Sequence, residues 1–176
     1  MRAGLCVSLA LTIAIPAAAA KQGGKNKNSS TTASTQDATA LSKEIGDVNG
    51  LEGQATQTQL QKALVDSVAK EAGVTEKQLK QDKQKSAMGY GDLLVGEAIA
   101  QSSKSTFDDV QKEHANRNWA DCAQAHNVPL KTLVTKLQAV QKDFDKEQKD
   151  LAKQEREQQQ LQQAKAKAAQ ERRRRR

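Results

Sequence analysis

The sequence predicts an all-α fold: a small helical bundle set between a disordered N-terminal spacer and a long, protruding C-terminal helix. Three observations predict it. From Gln54 onward, large apolar residues recur at three- and four-residue spacing, the signature of amphipathic helices. Helix starts and stops punctuate the same stretch, with Thr75, Thr106 and Asn118 at starts and Gly73, Asn127 and Pro129 at turns. Finally, an aromatic content of 2% and a mean hydropathy of −0.78 allow one modest core flanked by solvated segments.

Residues 1–20 read as an export signal: Arg2 gives the positive start, Leu5 to Ile15 the apolar run, and Ala18, Ala19 and Ala20 a small-residue cleavage site before Lys21. The apolar run falls short of the roughly 20 residues that span a bilayer. The expected location is therefore periplasmic or secreted. Signal removal leaves Cys122 as the one thiol, and in an oxidising compartment such a thiol is expected to be buried.

Residues 21–53 are expected to form a disordered spacer. Residues 21–40 are rich in Gly, Asn, Ser and Thr, and Gly46, Gly50 and Gly53 argue against a long helix after Leu41. The helical domain is then expected over 54–145, and a charged helix with an arginine tail over 146–176.

Within the domain, Leu60, Leu64, Val65 and Val68 form the stripe of a first helix ending at Gly73. Thr75, with Gln78 three residues on, caps a second helix that turns Leu79 inward and frays along its polar end toward Ala87. Gly89 and Gly91 break the chain. Asp92 caps or starts a third helix carrying Leu93, Leu94 and Ile99, with Gly96 and Ala100 as a small face for close approach. Thr106 and Asp109 open a helix with Phe107 and Val110 inward, and Asn118 opens a short one at Trp119.

Asn127 suits a left-handed terminating conformation, and Pro129 starts the last helix. There Leu133, Leu137, Val140, Phe144 and Leu151 keep 3-4 spacing, with Leu161 in register. From Gln158 on, large apolar groups are too sparse for a core or a coiled coil, so the distal part is expected to fray. A faint repeat aligns Ala69–Leu79 with Ala123–Leu133, each a helix, a tight turn and a helix.

The formal net charge of +7 is unevenly placed. Lys165, Lys167 and Arg172 to Arg176 oppose Glu171 alone, which leaves the stretch from 21 to 164 neutral. The basic pI therefore describes the tail and not the body.

Both halves of the repeat resemble the helix-turn-helix of bacterial DNA-binding proteins, and Leu64 to Leu79 is similar to the start of histone-like HU proteins. The HU likeness implies a dimer with DNA-binding β-arms, but no arm sequence follows. A base-reading helix would also offer phosphate-binding neighbours, against which the neutral body and the export signal argue. The segments read as packing helices. The pattern from Gly89 to Val128 (Gly89-Tyr90-Gly91-Asp92, an Ala-rich helix, Trp119 three residues before Cys122-Ala123, then Asn127-Val128) resembles small exported bacterial proteins of uncharacterised function. That resemblance implies no activity.

Gly89-Tyr90-Gly91 lacks the following Lys-Ser or Lys-Thr of a phosphate-binding loop and reads as a turn. His114, Cys122 and His126 are the soft-ligand candidates, but Trp119 and Ala123 share the face of Cys122 and His126. The face therefore reads as core with His126 at its margin, and no metal or cofactor is expected. No catalytic triad, nucleophile elbow or carboxylate pair in an apolar setting can be picked out.

Arg172, Arg173, Arg174, Arg175 and Arg176 remain as the most specific chemical feature. Guanidinium groups engage phosphates bidentately, so nucleic acid, lipopolysaccharide or anionic lipid are credible targets, with a solvated tail as the plainer reading. The function expected is that of an exported, non-enzymatic interaction protein with an unknown protein partner; the alternative is a polyanion binder acting through those arginines.

Overall fold

A computed structural model describes the backbone of residues 28–175 and the side chains of 35–175. The expected signal segment, the start of the expected spacer and Arg176 lie outside the described residues. Every described element is an α-helix, in the order α1 (Asn28–Gln54), α2 (Thr58–Ala72), α3 (Glu76–Ser86), α4 (Tyr90–Ser103), α5 (Phe107–His114), α6 (Trp119–Ala125) and α7 (Leu130–Arg174). α1, α2, α4 and α7 pack on one another to form the body of the bundle, and α3, α5 and α6 close around α4.

The central position of α4 follows from its sequence. From Leu93 to Ala100 it is apolar or small on every side except at Glu97, and a helix apolar all round must be enclosed. Its neighbours supply one-sided stripes: Leu60, Leu64, Val65 and Val68 from α2, and Leu133, Leu137, Val140 and Phe144 from α7, all buried.

The expected spacer is corrected here. Residues 28–53 belong to α1, and Leu41, Ile45, Val48 and Leu51 are buried in the common core. These four sit at helical spacing and gain more from burial than the glycines cost in propensity. Gly46, Gly50 and Gly53 all lie on the exposed face, where an added Cβ would meet nothing within 4 Å. The bundle therefore begins near Leu41, and at its other end it extends past 145 to Leu151, the last buried residue of α7.

Three connections repeat one turn. Gly73, Lys104 and Asn127 each hold a left-handed backbone, with φ of 79°, 56° and 57°. In each, the amide after that residue donates to a carbonyl five residues back: Val74 to Ala69 at 3.0 Å, Ser105 to Ala100 at 2.9 Å and Val128 to Ala123 at 2.8 Å. This is the Schellman closure of a helix C-terminus. The next residue is the N-cap of the following helix, with the Thr75 hydroxyl accepting from Gln78 N and that of Thr106 from Asp109 N, both at 3.2 Å. The aligned Ala, Val and Leu of the repeat are the buried or part-buried contacts of two such turns.

α3 is helical to Ser86, where fraying was expected, because two of its polar residues are engaged. Asp82 is buried, and Lys83 Nζ lies 2.8 Å from Glu52 of α1 and 4.3 Å from the centre of the Tyr90 ring. α7 likewise continues unbroken to Arg174, and its side chains from 153 to 175 are all exposed. Its Ala, Gln, Lys and Glu residues favour helix, with Lys153 and Glu157 paired at i and i+4.

Since Gly46 and Gly50 serve no close approach, Gly46→Ala and Gly50→Ala should each raise unfolding free energy by about 0.5–1 kcal/mol in urea titration. A loss of stability in both would mean that the added methyl groups collide with a neighbour and that this face of α1 is packed.

Candidate functional site

The glycine-rich segment before α4 is a structural joint. Asn49 of α1 accepts from Gly91 N at 2.7 Å through Oδ1 and donates to Asp92 Oδ2 at 2.8 Å through Nδ2. The second oxygen of Asp92 accepts from Trp119 Nε1 of α6 at 2.8 Å. The glycines make room for this: a Cβ at Gly89 would stand 2.1 Å from Asn49 Oδ1, and one at Gly91 would stand 2.5 Å from the Ile45 carbonyl. Gly96 does the same for the aromatic side chains, because its Cβ would lie 2.7 Å from Phe107 and 3.1 Å from Trp119. Asp92 is in the first turn of α4 and ties it to α1 and α6; Gly89 holds the N-cap position.

The soft-ligand candidates are divided among separate partners. The ring of His114 stacks on Trp119 with centroids 3.8 Å apart, while His126 Nε2 lies 3.1 Å from Glu113 Oε2. Cys122 is buried, and burial pushes its thiol up from the ordinary value. Among the described residues no group of three or more His, Cys, Asp or Glu side chains is placed to hold a metal ion.

One expectation is overturned: a carboxylate pair does form in an apolar setting. Glu97, the lone charge within the enclosed part of α4, is 3% exposed, and Asp82 of α3 beside it is 6% exposed. Glu97 Oε1 and Asp82 Oδ2 are both buried without a hydrogen-bond partner, and the nearness of the two carboxyl groups favours a proton on Glu97. Burial first, then the hydrogen bond with Asp82 and the negative charges of Asp82 and Asp108, raise the Glu97 pKa to about 7. A second pair joins α2 to α3: Asp66 is raised by burial and by its hydrogen bond with Glu76, and Glu76 is lowered as the acceptor. The sequence signal for the first pair was a glutamate inside LLVGEAIA; its partner is fifteen residues away on another helix.

The arginine candidates stand apart from these groups. Arg172, Arg173, Arg174 and Arg175 are exposed at the end of α7, 21 or more residues beyond Leu151, which at 1.5 Å per residue places them on the order of 30 Å outside the core. Among the described residues no helix is long and apolar enough to cross a membrane.

The joint and the acid pair are tested by three variants. Gly91→Ala should lower unfolding free energy by about 1–3 kcal/mol through overpacking, and Trp119→Ala by about 3–5 kcal/mol, both read by chemical denaturation. Because folding raises the Glu97 pKa from 4.5 to about 7, its contribution is complete below pH 4.5 and lost as pH rises to 7, about 3 kcal/mol in all. Glu97→Gln should flatten the stability profile over that window. An identical slope in the variant would remove Glu97 from the titration.

No protein family, curated protein or solved structure matches this chain, so its functional reading rests on its own residues.

Proposed function

We propose that the chain is an exported, non-enzymatic interaction protein whose helical bundle holds a cationic helix end away from itself for a polyanionic partner. Export, to the periplasm or outside the cell, is supported by the charged start, apolar run and Ala-rich site of residues 1–20. The observation that carries the binding role is the exposure of α7 from 153 to 175, ending in the arginines. Successive helical residues are turned by about 100°, so Arg172, Arg173 and Arg174 point to three different sides of the helix end.

Such a crown suits an extended, multiply charged partner that can wrap or approach from any direction: nucleic acid, lipopolysaccharide or an anionic lipid surface. Each guanidinium can take a phosphate bidentately, and release of the partner's counterions makes such binding fall with salt. The neutral body adds no general attraction of its own.

Full-length chain lacking only residues 1–20 should be retained on heparin and elute with salt. Deletion of 165–176 should abolish retention and leave the melting temperature unchanged. Retention that survives the deletion would place binding on the body, and a large fall in melting temperature would make the tail structural.

A further inference from the structure

We propose that α3 is an acid-closed flap: a proton shared between Asp82 and Glu97 fastens it to α4, and loss of that proton lets α3 open locally while the rest of the bundle stays folded. The geometry points to α3 for three reasons. It carries one buried apolar side chain, Leu79, so its attachment depends on polar contacts to a degree that no neighbouring long helix shares. It is a separate helix, set off by the left-handed Gly73 with φ 79° before it and the left-handed Ala87 with φ 53° as its C-cap, so its movement interrupts no continuous helix. Its polar attachments include two acid pairs, Asp66 with Glu76 toward α2 and Asp82 with Glu97 toward α4.

An acid pair holds only while it is protonated. With one proton the two carboxyl groups hydrogen-bond; with none they are like charges side by side in an apolar setting. The charges around Glu97 leave that repulsion standing, since α3 contributes Asp82 and α5 contributes Asp108. The nearest cation, Lys85, reaches only within 4.0 Å of Asp82 Oδ1 from an exposed position. At the α2 pair, Lys62 and Lys80 partly offset Asp66 and Glu76, and Asp143, Lys146 and Glu147 of α7 line the same surface groove as Asp66. A second groove of about 600 Å3, lined by Thr75, Gln78, Glu97, Gln101, Thr106 and Phe107, runs beside Glu97 at the first turn of α3.

The Lys83 ion pair with Glu52 and its contact with Tyr90 hold the C-terminal end of α3. Opening therefore starts from the Gly73 end. It uncovers the faces of α2 and α4 on which α3 rests.

Hydrogen exchange on the full chain, corrected for intrinsic rates, tests this at pH 5 and pH 7.5. Amides of residues 79–82 should lose at least about tenfold in protection at the higher pH, while those of α4 and α7 change less. Glu97→Gln keeps a hydrogen-bond donor for Asp82 and cannot ionise, so it should keep α3 protected at both pH values; Asp82→Asn should do the same and serves if the first variant fails to fold. Equal α3 protection at the two pH values, loss in step with α4 and α7, or an unchanged pH response in a folded variant would each overturn the proposal.

Discussion

A partly buried carboxylate is tolerated when both of its oxygens are occupied, and Asp92 meets that condition with groups from two other helices. Trp119 Nε1 satisfies one oxygen and Asn49 the other, and Asn49 in turn takes the Gly91 amide at the otherwise open N-terminus of α4. The rest of the bundle depends on this chain of bonds because it sets how close α1, α4 and α6 stand. The glycines at 89, 91 and 96 are its steric counterpart, since each occupies a place where a methyl group would collide with the same joint or with the rings packed beside it.

α4 carries two acidic residues with opposite fates. Asp92 accepts from neutral donors and is held as an acceptor, while Glu97, five residues later, meets another acid and must keep a proton to be accommodated. The second arrangement is the one that responds to pH. One helix thus anchors the permanent part of the bundle at its start and a conditional part, α3, beyond its midpoint.

What could be read from the sequence was what local chemistry decides. The caps at Thr75, Thr106 and Asn118, the left-handed Asn127 and the stripe from Leu133 to Leu151 are all governed by neighbours within a few residues, and they occur where expected. α1 was misread because glycine was weighed as a helix breaker without asking which face it occupies. Leu41, Ile45, Val48 and Leu51 already formed a stripe, with Gly46, Gly50 and Gly53 off it. Lys104 at a left-handed position and the pairing of Asp82 with Glu97 gave no comparable local signal, because packing across helices decides both. At the arginine tail, composition alone identified the cationic end; its reach came from the helix that carries it.

The packing of α1 on α7 has a consequence for how the chain reaches its fold. Gln138 and Gln141 of α7 donate to the two oxygens of Glu44, across sequence separations of 94 and 97 residues. The local turns between successive helices can form early, but the core that buries Leu41 and Phe144 together closes only when the two ends of the bundle meet. Until Phe144 has emerged, α1 and α4 expose apolar faces with their largest partner missing. A chain that appears from its N-terminus at the ribosome therefore stays open for most of its length, and the bundle closes late.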